Sequence, residues 1–89
     1  MNTRVLMHLN NIPEGTSDSL YEGKRYLVSK RTFNQGRSIK LFARELGGKH
    51  FVSLNFYKLK QVWLLKPCEM SEQSVVHFLE HHRSINKSQ

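Results

Sequence analysis

Cysteine is almost missing from this sequence. Cys68 is the only one, so no disulfide can form within the chain, and the usage fits a reducing cytoplasm. Proline is limited to Pro13 and Pro67, which leaves most of the chain free to hydrogen-bond in regular structure. No apolar run approaches the roughly 20 residues of a membrane span. The opening "MNTRVLMHLNN" has one Arg, a short apolar stretch and no small-residue cleavage site, unlike a signal peptide. Acidic residues are also scarce, seven against 14 Lys and Arg, for a net charge of +7. There is no GxGxxG, P-loop or paired-carboxylate signature, so nothing points to nucleotide or hydrolytic chemistry.

What is present is a basic middle. From Lys24 to Lys66 the sequence holds eleven basic residues and one acid, Glu45. The other acids are Glu14, Asp18 and Glu22 in an N-terminal loop, and Glu69, Glu72 and Glu80 near or in the last helix. Positive charge confined to one set of elements predicts an anionic partner; the plainer alternative is solubility. Nine aromatics and 38% hydrophobic residues argue for a folded core. Its size bounds it to one domain over residues 1–89.

Residues 1–19 read as an N-terminal segment and a loop. Residues 4–9 fit either a short helix capped by Asn2 or Thr3 or an added strand, and "NNIPEGTSDS" is dense in turn formers. Four β-rich runs follow within residues 20–70, at 24–33, 38–46, 50–59 and 62–68, with short loops that imply antiparallel hairpins. Residues 71–83 predict a helix. Ser71 suits its N-cap, Met70 and Val75 suit a hydrophobic staple, and Val75, Val76, Phe78 and Leu79 form its apolar stripe. Residues 84–89 read as a frayed tail. The expected fold is α+β: a four-stranded antiparallel sheet with one C-terminal helix packed on one face.

Register follows from asking which pairing keeps each face uniform. A two-residue Gly47-Gly48 turn sets Ala43 opposite Val52, Leu41 opposite Leu54 and Ile39 opposite Phe56, all apolar. A three-residue "NQG" loop then sets Leu27 opposite Ala43, Ser29 opposite Leu41 and Arg25 opposite Glu45. Trp63 and Leu65 join this core face if the last loop has an even number of residues. The other face then carries Tyr26, Val28, Lys30, Lys40, Phe42, Arg44, Phe51, Ser53, Asn55, Tyr57, Leu64 and Lys66. Lys30 would stand directly across from Lys40, an unfavourable pairing unless an anion covers it.

Rings among cations suit single-stranded nucleic acid, because bases stack on rings while cations follow phosphates. The candidate binding residues are Tyr26, Phe42, Phe51 and Tyr57 for stacking, Lys30, Lys40, Arg44 and Lys66 for phosphate, and Asn55 for a base edge. The alternative is that the same face joins a partner protein or a second copy of the chain, since apolar residues on both sheet faces also suit a homodimer. Arg37, Lys49, Lys58 and Lys60 sit at strand ends as a solvated rim or an extension of the phosphate track. His77 and His81 have two-ligand spacing, but no further Cys or His set completes a metal site. Cys68 has no base placed by spacing, so it reads as a small strand-end residue rather than a nucleophile. No catalysis and no cofactor are expected.

Four antiparallel strands followed by a helix, over "RYLVSKRTFNQGRSIKLFAREL" and "EMSEQSVVHFLE", resemble the positive cofactor four family of single-stranded-DNA-binding coactivators. The resemblance covers about two thirds of the chain, by element order and strand pattern. It implies a dimer that grips single strands on basic, aromatic-bearing strands. The chain departs from that family in lacking its Gly- and Lys-rich run before the final strand and helix. "KLFARELGG" and "LKPCEM" also resemble a family of short bacterial chains of unknown function. Some of those carry a methionine sulfoxide reductase label, but the Gly-Cys-Phe-Trp-type loop of the reductases is absent here, so no such activity is implied.

Overall fold

The computed structural model describes residues 2–59, 62–68 and 70–85, with Asn2, Thr3 and Trp63 described by backbone alone. The elements run α1 (Asn2–Asn10), β1 (Gly15–Tyr21), β2 (Lys24–Phe33), β3 (Ser38–Glu45), β4 (Phe51–Leu59), β5 (Val62–Pro67), α2 (Glu72–His81) and β6 (Arg83–Ser84). They build one antiparallel sheet in the order β5-β4-β3-β2-β1-β6. The α+β class and the C-terminal helix stand as expected. Among the described residues the strand count is six rather than four, and the sheet begins at Gly15 rather than near residue 20.

The added strand β1 lies in "GTSDSLY", whose polar residues read as a loop. It forms because Glu22 and Gly23, both at positive φ (53° and 79°), make a two-residue turn of the twist that hairpins favour. That turn sets Tyr21 against Lys24 and Ser19 against Tyr26. β6 then pairs Ser84 with Ser19 and Arg83 with Leu20, and the Ile85 amide donates to the Asp18 carbonyl at 2.9 Å. The start of the expected frayed tail is therefore bound to the sheet, while residues 86–89 lie outside the described residues.

Between β3 and β4 the register is the expected one, with Ala43 opposite Val52, Leu41 opposite Leu54 and Ile39 opposite Phe56. These six side chains are buried. Between β2 and β3 the register differs by one residue. Phe33 pairs with Ser38, so residues 34–37 make the loop and Val28, not Leu27, faces Ala43. Three successive left-handed residues allow it: Asn34 at φ 55°, Gln35 at 58° and Gly36 at 89°. A slip of one residue moves every side chain of a strand to the other face. Tyr26, Val28 and Lys30 therefore point into the core, and Leu27, Ser29 and Arg31 point out.

The inward set places a tyrosine and a valine inside where the alternative offers a leucine and a serine. The cost is a buried lysine, and local hydrogen bonds offset it. Lys30 Nζ donates to the carbonyls of Leu9 at 2.7 Å and Ile12 at 2.9 Å. Leu9 is in the last turn of α1 and its carbonyl also accepts from the Ile12 amide at 3.1 Å; Ile12 lies just past the helix, at the end where a cation is favoured. Burial pushes the Lys30 ammonium below the ordinary lysine range, with the Glu14 carboxylate opposing. Tyr26 Oη shares a hydrogen bond of 2.7 Å with His50 Nδ1. At the sheet end the ion pairs are Arg25–Asp18 at 3.1 Å and Lys24–Glu45 at 3.7 Å, in place of the expected Arg25–Glu45 pair.

Both helices cover this one face. α1 brings Val5 and Leu9, followed by Ile12, and α2 brings Val75, Phe78 and Leu79 onto Tyr21, Tyr26, Val28, Leu41, Val52, Phe56 and Leu65. Residues 4–9 are thus helical. α2 is capped as expected: Ser71 is extended and its hydroxyl accepts from the Ser74 amide at 3.1 Å. Such a cap stabilises by about 1 kcal/mol. Leu65 is on the covered face as expected; the side-chain placement expected for Trp63 lies outside the described residues.

Candidate nucleic-acid interface

The face away from the helices is organised in rows that cross the strands. Arg31 pairs with Lys40, Lys40 with Asn55, and Asn55 with Lys66. Three cations and one amide thus stand side by side on four neighbouring strands, spanning about 14 Å at the usual strand spacing. On one side of this row lies Ser29–Phe42–Ser53, and beyond it Leu27–Arg44–Phe51. On the other side lies Phe33–Ser38–Tyr57–Leu64. A line of positive charge therefore runs between two lines that carry rings.

The rings are accessible. Phe33, Phe42 and Phe51 are 45%, 39% and 37% exposed. Phe42 and Phe51 stack diagonally across β3 and β4, with centroids 5.9 Å apart and planes at 28°. Ser29, Arg31, Phe33, Lys40 and Phe42 line a shallow pocket of about 290 Å³. Among the described residues, Arg31, Lys40, Arg44 and Lys66 form no salt bridge; the two that exist lie at the sheet end.

Seven of the nine expected binding residues share this face: Lys40, Phe42, Arg44, Phe51, Asn55, Tyr57 and Lys66. Tyr26 and Lys30 do not. They are buried under the helices at 3% and 7% exposure, because the loop at residues 34–37 is one residue longer than a three-residue turn. The like-charge pair expected at Lys30 and Lys40 is found one position along, as Arg31 and Lys40. Arg31, Ser29 and Phe33 complete the site and follow from that same correction, since they share a face once the register is set.

The remaining candidates have local partners. The half-buried Cys68 thiol accepts a long hydrogen bond (3.8 Å) from the Asn55 amide. His77 Nδ1 shares a 2.6 Å hydrogen bond with Tyr21 Oη, and His81 Nδ1 lies 2.9 Å from the His77 carbonyl. The His77 and His81 rings stack at 4.1 Å and 22°. Among the described residues no group of three or more His, Cys, Asp or Glu could hold a metal. No helix among them is long and apolar enough to cross a membrane.

Comparison of the chain with protein-family models, with curated proteins and with solved structures finds no match.

Proposed function

We propose that the open face binds single-stranded DNA or RNA, with the backbone crossing the strands along Arg31, Lys40, Asn55 and Lys66. Bases stack on Phe42 and Phe51 on one side of that line and on Phe33 and Tyr57 on the other. The supporting observation is the cation row between two ring-bearing rows, on the side of the sheet opposite both helices. Ring stacking contributes about 1–3 kcal/mol per base and tolerates any sequence, while the cations follow the phosphates. The protein acts by binding rather than catalysis, and its single cysteine suits the cytoplasm.

The test is fluorescence anisotropy with a labelled oligonucleotide over a salt series. Three cations on phosphates, Arg31, Lys40 and Lys66, give a slope of log affinity against log salt of about −2 for a single strand. A slope near zero, or no binding at moderate salt, rejects the reading. A second reading is a protein-interaction module, favoured by the exposed Leu59, Val62 and Leu64 at the β4–β5 end. It predicts no oligonucleotide binding.

A further inference from the structure

Among the described residues no strand pairs with the outer edge of β5. β5 is the last strand of the sheet on its side. The Cys68 amide donates to the Ser53 carbonyl at 2.9 Å, and this sets the phase of the ladder. Counting back by twos, Lys66, Leu64 and Val62 exchange hydrogen bonds with Asn55, Tyr57 and Leu59. Trp63 and Leu65, which alternate with them, therefore direct their backbone N–H and C=O groups away from β4. Pro67 falls in the same phase but has no N–H, so the free donors of this edge end at Leu65.

Natural sheets blunt an edge with charge, proline, a bulge or a covering segment. The opposite edge has such a cover in β6, over Ser19 and Leu20. Residues 62–65, "VWLL", contain no charge and no proline, and Val62 and Leu64 are 60% and 38% exposed. The outward groups of Trp63 and Leu65 are also arranged symmetrically about Leu64. A twofold rotation at Leu64 brings each donor onto an acceptor of the same strand in another molecule.

We propose that a second copy of this chain adds antiparallel along β5, with Leu64 opposite the partner's Leu64. Trp63 then exchanges both backbone hydrogen bonds with the partner's Leu65, and Leu65 with the partner's Trp63. Lys66 falls opposite the partner's Val62, which keeps like charges apart. Centring the pair on Leu65 instead would set Pro67 against Trp63 and lose a donor. The axis is perpendicular to the sheet, so the two open faces lie on the same side of one continuous sheet. This interface does not depend on nucleic-acid binding.

The test is cysteine cross-linking in a Cys68→Ser background, in a glutathione redox buffer, read on non-reducing gels. Directly opposed residues outside the hydrogen-bonded pairs lie about 4.5 Å apart at Cα, within disulfide reach. Leu64→Cys should therefore give mostly covalent dimer. Val62→Cys should stay monomeric, because its counterpart lies four residues, about 14 Å, along the strand. Failure of Leu64→Cys to cross-link, or equal cross-linking of both variants, overturns the proposal. Light scattering supplies a second arm. The 10.5 kDa chain should run at twice its mass, and Leu64→Lys should run as a folded monomer. A wild-type monomer at high micromolar concentration, or a Leu64→Lys dimer, also overturns it. Should Leu64→Lys not fold, as judged by circular dichroism, the cysteine pair decides alone.

Discussion

Arg31 and Lys40 stand directly opposite each other on adjacent strands of the open face. Like charges in that position destabilise a sheet by a fraction of a kcal/mol. Under the proposed function the phosphates offset this. Lys40→Gln should then stabilise the free protein by about 0.2–1 kcal/mol at low salt while weakening oligonucleotide binding. Urea unfolding at low and high ionic strength checks it, since the gain should fade as salt screens the pair. A loss of stability at low salt would mean that Lys40 has a favourable partner in the free protein.

The register of β2 makes Arg31 and Lys30 opposite in role. Arg31→Ala should make the salt slope of binding shallower by about 0.7 and, by relieving the pair with Lys40, should not destabilise the free protein. Lys30→Ala should leave the slope as it is and destabilise by roughly 1–3 kcal/mol, because the Ile12 carbonyl loses the Lys30 donor and the Leu9 carbonyl keeps only the Ile12 amide. Paired binding isotherms and denaturant melts distinguish the two. The reverse pattern would place Lys30 outside.

Phe42 and Phe78 separate binding from folding. Phe42→Ala should weaken oligonucleotide binding by about 1–3 kcal/mol with no change in salt slope. Phe78, on the sheet-facing side of α2, is fully buried, and its replacement by Ala should cost about 3–5 kcal/mol of stability. Equal affinity for Phe42→Ala would remove stacking from the mechanism.

Acid should loosen the α2 end of the fold through His82. Its ring stacks on Phe78 at 5.0 Å and its Nδ1 shares a 3.2 Å hydrogen bond with the Ser19 hydroxyl. Burial, with help from nearby His8, holds its basicity below the usual histidine value of 6.5. A depressed value in the folded state means that the unfolded chain binds the proton more readily. The stability gained from neutral His82 is therefore complete above about pH 6.5 and is lost as pH falls through the lowered folded-state value. Thermal unfolding between neutral pH and pH 5 should show this decline in the wild type and a flatter profile in His82→Gln.

The β3–β4 hairpin is legible in the sequence because only one register matches three apolar pairs. Ser71 is legible as a cap because its hydroxyl is followed by a clean apolar stripe. β2 is harder. "KRYLVSKR" offers an aromatic or aliphatic residue and a cation on either face, so its pattern does not choose. The choice lies in the left-handed backbone of Asn34 and Gln35, which no hydrophobic period encodes. β1 is hidden for another reason: its buried positions include Ser19, whose hydroxyl is satisfied by His82, a residue 63 positions away. The signal that could have found it is the Glu22-Gly23 turn.

The bend at residues 34–37 also governs how related chains should be compared. A relative shorter there by a single position would turn the second strand over, bringing its buried lysine and tyrosine to the surface and hiding its arginine. Matching such chains letter by letter along that strand would then equate residues that do opposite jobs. The length of the bend is the character to align first.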